Sequence, residues 1–221
     1  MNMKKLCCGI LLAAGFALLA GCGSAAGNIS AAVPGADDAL MVEPLESTLY
    51  VNHLEDSNFA ASFKASDVRL NDDGALCVAM QVWDYERFDS VDIASLKVGD
   101  TILINGKKVC VESIEMEGQY AVINGGLEEG GYDLYTDDDG EYHEVIMDAG
   151  PRYFPVGEVT IPVAQEFVFT DNSDPENQGK IMYAGDFLIA MEQSDEEFNA
   201  NATVVRTENG KIMEITRNYM P

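Results

Sequence analysis

The sequence predicts an all-β domain, an antiparallel β-barrel or β-sandwich of about nine to twelve short strands with one short helical turn. Three observations carry this expectation. Apolar and polar residues alternate through most of the chain beyond residue 44, as in ALCVAMQVW (75–83), where Leu76, Val78, Met80 and Val82 share one face. The pairs Asn105-Gly106, Asp139-Gly140 and Asn209-Gly210 supply residues that tolerate positive φ where a two-residue hairpin demands it. No long amphipathic stretch with a helical period interrupts this pattern.

In chain order the strand candidates are ASFKASDVRL (61–70), ALCVAMQVW, DTILI (100–104), KKVCVESIE (107–115), QYAVI (119–123) and YDLYT (132–136). They continue with EYHEVIM (141–147), EVTIPV (158–163), EFVFT (166–170), DFLIAME (186–192), ATVVRT (202–207) and KIMEITR (211–217). NDDGA (71–75) and INGGLEEGGY (123–132) read as further turns, and SVDIASLK (90–97) holds the short helical turn before its strand. The 177 residues from Leu45 to Pro221 fit one β-rich domain, because barrels and sandwiches of this size often stay undivided.

The N-terminus points to the address. Lys4 and Lys5 precede fifteen residues, Leu6 to Ala20, that carry no charge. This is the layout of a secretory h-region. As a helix the run reaches about 22 Å against a hydrocarbon core of roughly 30 Å, too short for a comfortable permanent span. Leu19-Ala20-Gly21-Cys22 resembles the lipobox of bacterial lipoproteins. That resemblance implies removal of residues 1–21, diacylglycerol on the Cys22 sulfur and attachment to the membrane through lipid on the extracytoplasmic side. More than one acyl chain is needed for lasting anchorage, since each buried methylene contributes only about 0.8 kcal/mol. Residues 22–44, rich in Ala, Gly and Ser, read as the lipidated N-terminus and a flexible linker.

Cleavage before Cys22 leaves Cys77 and Cys110 as the remaining thiols. An oxidising exterior preserves disulfides, so a Cys77–Cys110 bridge is one expectation and two separate half-buried thiols the other. Charge narrows the partners. The chain has 13 Lys and Arg against 38 Asp and Glu, and loss of Lys4 and Lys5 leaves 11 cations. Such a surface repels phosphate backbones and anionic headgroups, which disfavours nucleic acid, and it suits divalent cations or a basic protein.

The acidic loops YTDDDGEYHE (135–144) and TDNSDPENQG (170–179) raise a calcium site over Asp137, Asp139, Asp171 and Asp174. Neither loop is an EF-hand: with Gly140 at the glycine position, Tyr135 stands first and Ile146 last. HEVIM (143–147) lacks the second imidazole of a zinc helix, and Met147 stands in its place. No nucleophile elbow or phosphate loop appears, so no catalytic residue is assigned. Tyr132, Tyr135, Tyr142 and Tyr153, interleaved with Asp and Gly, form a candidate patch for a glycan or peptide, although Tyr132 and Tyr135 have opposite parity in a regular strand. The function expected is a lipid-anchored, non-catalytic binding or interaction module at the cell envelope. A carboxylate-dependent hydrolase acting on cell-wall or glycan material and a purely structural envelope component are the alternatives.

Overall fold

Alternation of small polar and bulky apolar side chains gives strands, and the computed structural model describes sixteen of them over residues 39–136, 140–146 and 150–220. They are β1 (Met41–Val42), β2 (Asn58–Lys64), β3 (Val68–Leu70), β4 (Leu76–Tyr85), β5 (Phe88–Asp89), β6 (Thr101–Ile104), β7 (Lys107–Cys110) and β8 (Ile114–Glu117). There follow β9 (Tyr120–Ile123), β10 (Tyr132–Thr136), β11 (Glu141–Glu144), β12 (Tyr153–Asn172), β13 (Lys180–Tyr183), β14 (Glu197–Phe198), β15 (Thr203–Glu208) and β16 (Lys211–Asn218). Two α-helices, α1 (Ser90–Ser95) and α2 (Ala184–Glu192), stand among them. No helix of the described residues is long and apolar enough to cross a membrane.

Five strands close into a barrel. β2 pairs with β4, β4 with β12, β12 with β16, β16 with β15, and β15 returns to β2. In chain order the barrel strands are therefore neighbours in the sequence first, second, third, fifth, fourth, a Greek-key closure of the kind seen in OB-type barrels. The inward residues of each strand fill the interior: Phe59 and Phe63 from β2, Val78, Met80 and Val82 from β4, Ile161 and Phe169 from β12, Val205 from β15, and Ile212 and Ile215 from β16. The all-β expectation holds, and the barrel is the form taken. One detail differs: β12 runs parallel to β16, and β1 parallel to β6, so the sheets are not wholly antiparallel.

Parallel neighbours need a long connection, and here it carries α2. DFLIAME, read from sequence as a strand, is helical. Its Phe187 and Met191 lie four residues apart, one helical turn, and both are buried in the barrel core. A short apolar run has no clear period by itself, and the core decided it. Phe187 packs against Phe167 and Phe169 at ring separations of 5.2 and 4.9 Å. EVTIPV and EFVFT merge into the single strand β12, whose pairing with β16 is irregular between Val163 and Val168.

Residues 86–152 leave the barrel between its second and third strands and build a second core. It is formed by Phe88, Ile93, Leu96, Ile102, Ile104, Val111, Ala121, Ile123 and Leu134, between the sheet β1-β6-β7 and the sheet β5-β11-β10-β9-β8. Asn105-Gly106 and Asn209-Gly210 make tight hairpin turns with positive φ at both residues, as their types require. The folded part begins earlier than Leu45: Met41–Val42 pairs with Thr101–Ile102, Val42 is buried, and Asp100 accepts the backbone N–H groups of Leu40 (2.9 Å) and Lys97 (2.8 Å). The linker boundary at 44 is thus corrected, because an apolar side chain at 42 gains more from the second core than from water.

Truncating Phe187 to alanine removes the one aromatic that α2 lends to the barrel interior. The expected loss is about 3–5 kcal/mol in urea unfolding, whereas Tyr183→Ala, at a position 64% exposed, should change stability by no more than about 0.5 kcal/mol.

Candidate functional site

Since Val78, Met80 and Val82 point inward, the intervening residues of β4, Ala79, Gln81, Trp83 and Tyr85, lie on the outer face of the barrel. The register sets their neighbours. Gln81 lies between Ser62 of β2 and Glu158 of β12, Trp83 between Ala60 and Pro155, and Tyr85 beside Tyr153. Two grooves follow this row. One, of about 530 Å³, is lined by Ser62, Lys64, Asp67, Gln81, Glu158 and Thr160 among others. The other, of about 260 Å³, is lined by Asn58, Trp83, Asp84, Tyr85, Arg87 and Tyr153 among others. The Trp83 indole N–H donates to Ser62 Oγ at 2.8 Å, so one hydrogen bond joins the walls of both. The larger groove lies where β2 gives way to a 3₁₀ turn before β3, a turn held by Asp67, whose carboxylate accepts the Lys64 N–H at 2.9 Å.

From Tyr153 a row of rings runs off the barrel onto the inserted sheet. Successive centroids are 5.7 Å apart for Tyr153 and Tyr85, 5.2 Å for Tyr85 and His143, 5.8 Å for His143 and Tyr135, and 5.1 Å for Tyr135 and Tyr120. The register of β9, β10 and β11 produces its outer part, since Tyr120, Tyr135 and His143 are directly opposed across three strands. The three pairs from Tyr153 to Tyr135 approach edge to face, the arrangement that the ring quadrupole favours, and Tyr120 is tilted against Tyr135 at 56°. Arg87 lies 5.0 Å above the Tyr85 ring. Glu117 opposes Tyr120, and Asp133 and Glu141 stand two residues from Tyr135 and His143 on the same face. Burial, helped by Tyr85 and the negative charge of Asp84, pushes the Tyr153 phenol up to about 12.

Two buried acids sit where the insertion meets the barrel. Asp84 accepts from Ser47 Oγ and the Tyr85 N–H and has Arg87 at 3.5 Å. Glu144 Oε2 accepts from Asn105 Nδ2 at 2.6 Å and Arg152 Nε at 2.7 Å, while its Oε1 is buried without a hydrogen-bond partner among the described residues. Each acid is thus committed to its own arginine. A hydrolytic pair would instead need two carboxyl groups facing one scissile bond.

The sequence-derived residues divide accordingly. Tyr135 and Tyr153 belong to the ring row. Tyr132 and Tyr142 do not: they alternate to the other face of their strands and pack on the second core, as the odd parity of Tyr132 and Tyr135 requires. Cys77 and Cys110 are free thiols in the structure, which is the unbridged one of the two expectations. Cys77 is buried in β4 between Arg69 and Pro162, while Cys110 is exposed at the end of β7 in a different sheet. Asp137 and Asp139 lie outside the described residues, as does Cys22. Asp171 accepts from the Ser173 N–H and Oγ, and Asp174 from the Glu176 N–H and Asn177 Nδ2, so both serve turns of their own loop. Among the described residues no three His, Cys, Asp or Glu side chains are grouped as metal ligands. Sequence reading passed over Trp83, Tyr85 and Arg87, and weighed His143 only as a zinc ligand. The signal for the first two was present, because they occupy the positions of ALCVAMQVWDY that alternate with its apolar face.

No protein family, characterised protein or solved structure matches the chain.

Two measurements test this geometry. A thiol reagent added to the native protein should label Cys110 within minutes and Cys77 only after denaturation; protection of both, released by reductant, would show a bridge. The raised Tyr153 pKa means that the folded state holds this proton more tightly than the unfolded chain, so its contribution to stability is whole below about pH 10 and declines as pH rises toward 12. Tyr153→Phe should flatten that decline in denaturant titrations.

Proposed function

We propose that the protein is a lipid-anchored, extracytoplasmic binding module that holds its ligand on the outer face of β2, β4 and β12 without transforming it. The observation that carries this reading is the groove of about 530 Å³ on this face, whose wall residue Ser62 accepts the indole N–H of Trp83 from the wall of the neighbouring aromatic pocket of Trp83, Tyr85 and Tyr153. In OB-type barrels the face of the second and third strands is where ligands bind. Fold alone does not give function, but the side chains agree: rigid aromatic surface beside hydroxyl, amide and carboxylate groups suits a polar ligand with an apolar face. The excess of acids disfavours nucleic acid and favours an uncharged or basic partner.

The lipobox residues support the anchor, with Cys22 as the acylated residue.

Trp83 is the chain's single tryptophan, so its fluorescence reports the groove directly. Titration of the full-length protein with neutral oligosaccharides, a lysine-rich peptide and calcium should shift the emission with one of these probes and leave Trp83→Phe silent. An unchanged spectrum with all three would sink the binding reading. In membrane fractionation, Cys22→Ser should move the protein from the detergent-extracted to the soluble fraction.

A further inference from the structure

We propose that the ring row Tyr153–Tyr85–His143–Tyr135–Tyr120 extends the barrel groove into one track for an uncharged oligosaccharide several sugar units long. The inference rests on the binding reading above and names its ligand class. Ring centroids recur every 5.1 to 5.8 Å across the join between barrel and insertion, and unlike the phenylalanines of the barrel core the rings lie on the outer faces of their strands. Each ring is held by the next, so little side-chain freedom is lost when a ligand covers them. Tyr120, at the far end, is 45% exposed, and Tyr135, Tyr85 and Tyr153 are half-buried, while His143, buried between Tyr85 and Tyr135, supports the rings on either side.

Hydrogen-bonding groups flank the track. Gln119 accepts the Tyr135 hydroxyl at 3.1 Å, and Gln81, Ser62 and Thr160 line the barrel end. Glu117, Asp133 and Glu141 share the face of the outer rings. Carboxylates accept from sugar hydroxyls and repel polyanions, which favours a neutral chain over a phosphorylated one.

A peptide has less to hold. β4 is paired on both sides, by β2 and β3 on one and β12 on the other; β9 lies between β8 and β10, β10 between β9 and β11, and β11 between β10 and β5. From Tyr85 to Tyr120 the ring-bearing strands are thus interior to their sheets, so the backbone hydrogen bonds that give strand addition its affinity are already taken beneath the rings, and the free edge of the inserted sheet, β8, lies beyond Tyr120. Ring faces and polar side chains are what remains, and a sugar chain uses both.

The test uses the full-length protein in a detergent without a sugar headgroup and β-linked N-acetylglucosamine and glucose oligomers of two to six units, read by Trp83 fluorescence and calorimetry. For at least one series, affinity should rise at least about 10-fold from dimer to hexamer. Tyr120→Ala should lower hexamer affinity about 3- to 10-fold and leave the dimer unchanged. Tyr120→Phe should restore most of the loss, and an unaltered melting temperature shows that the variant folds. Equal binding of dimer and hexamer, or an intact hexamer affinity in Tyr120→Ala, overturns the track and leaves the barrel groove standing. Binding of a lysine-rich peptide in place of every oligomer overturns the ligand class. Silence of Trp83 toward oligomers and peptide alike overturns both this inference and the reading beneath it.

Discussion

The pairing of β4 with β12 is the constraint on which the rest of the structure depends. Its register runs from Cys77 opposite Pro162 to Tyr85 opposite Tyr153. The same ladder closes the barrel, brings together the two ends of the 86–152 insertion and sets the first pair of the ring row side by side. A slip of one residue would turn Val78, Met80 and Val82 outward and Gln81, Trp83 and Tyr85 inward, exchanging core for site. The hydrophobic content of β4 therefore fixes its outer face indirectly: three buried apolar side chains make every other register costly.

Polar contacts then fix the insertion against this seam. Glu86 accepts the Asn105 N–H at 2.7 Å, Asn105 and Arg152 converge on Glu144, and Arg87 lies 3.5 Å from both Asp84 and Glu141. Arg152 is half-exposed while Glu144 is 3% exposed, so removal of the arginine would leave a buried carboxylate with its desolvation uncompensated. Such a pair adds less to net stability than an apolar replacement of the same shape could. Its value lies in direction, because two planar charged groups at 2.7 Å tolerate few orientations, and His143 is the neighbour of Glu144 on the same strand.

Much of the barrel was legible because alternation is a local property. The inward set of β4, the Asn-Gly hairpins and the opposed parity of Tyr132 and Tyr135 all follow from a period of two. What was not legible depends on distant partners. The parallel β12–β16 pairing is a matter of connection, not of composition, and DFLIAME became a helix because Phe187 found Phe167 and Phe169. The two cysteines looked comparable, both opposite the apolar face of their strands, yet one strand belongs to the barrel and the other to the insertion's sheet. The ring row was half legible. Tyrosines crowd YDLYT and EYHE, but nothing local says that Tyr135 will meet His143 or that both will line up with Tyr85, fifty residues earlier.

Charge and aromatic surface bear on function in opposite ways, and their combination is more selective than either. A net charge of −25 repels polyanions without choosing a ligand. A row of tyrosines in isolation would attract any flat apolar molecule. Acids standing on the same face as those rings remove anionic ligands by repulsion and penalise purely apolar ones, since covering a carboxylate without supplying a donor forfeits its hydration. A ligand that carries hydroxyl donors at its rim and C–H surface on its faces incurs neither penalty. HEVIM, which resembles a metal-binding helix when read as letters, acquires a different meaning on a strand. His143 joins the rings, Glu144 turns to the opposite face to meet Arg152, and one dipeptide serves both the surface that would bind and the seam that holds that surface in place.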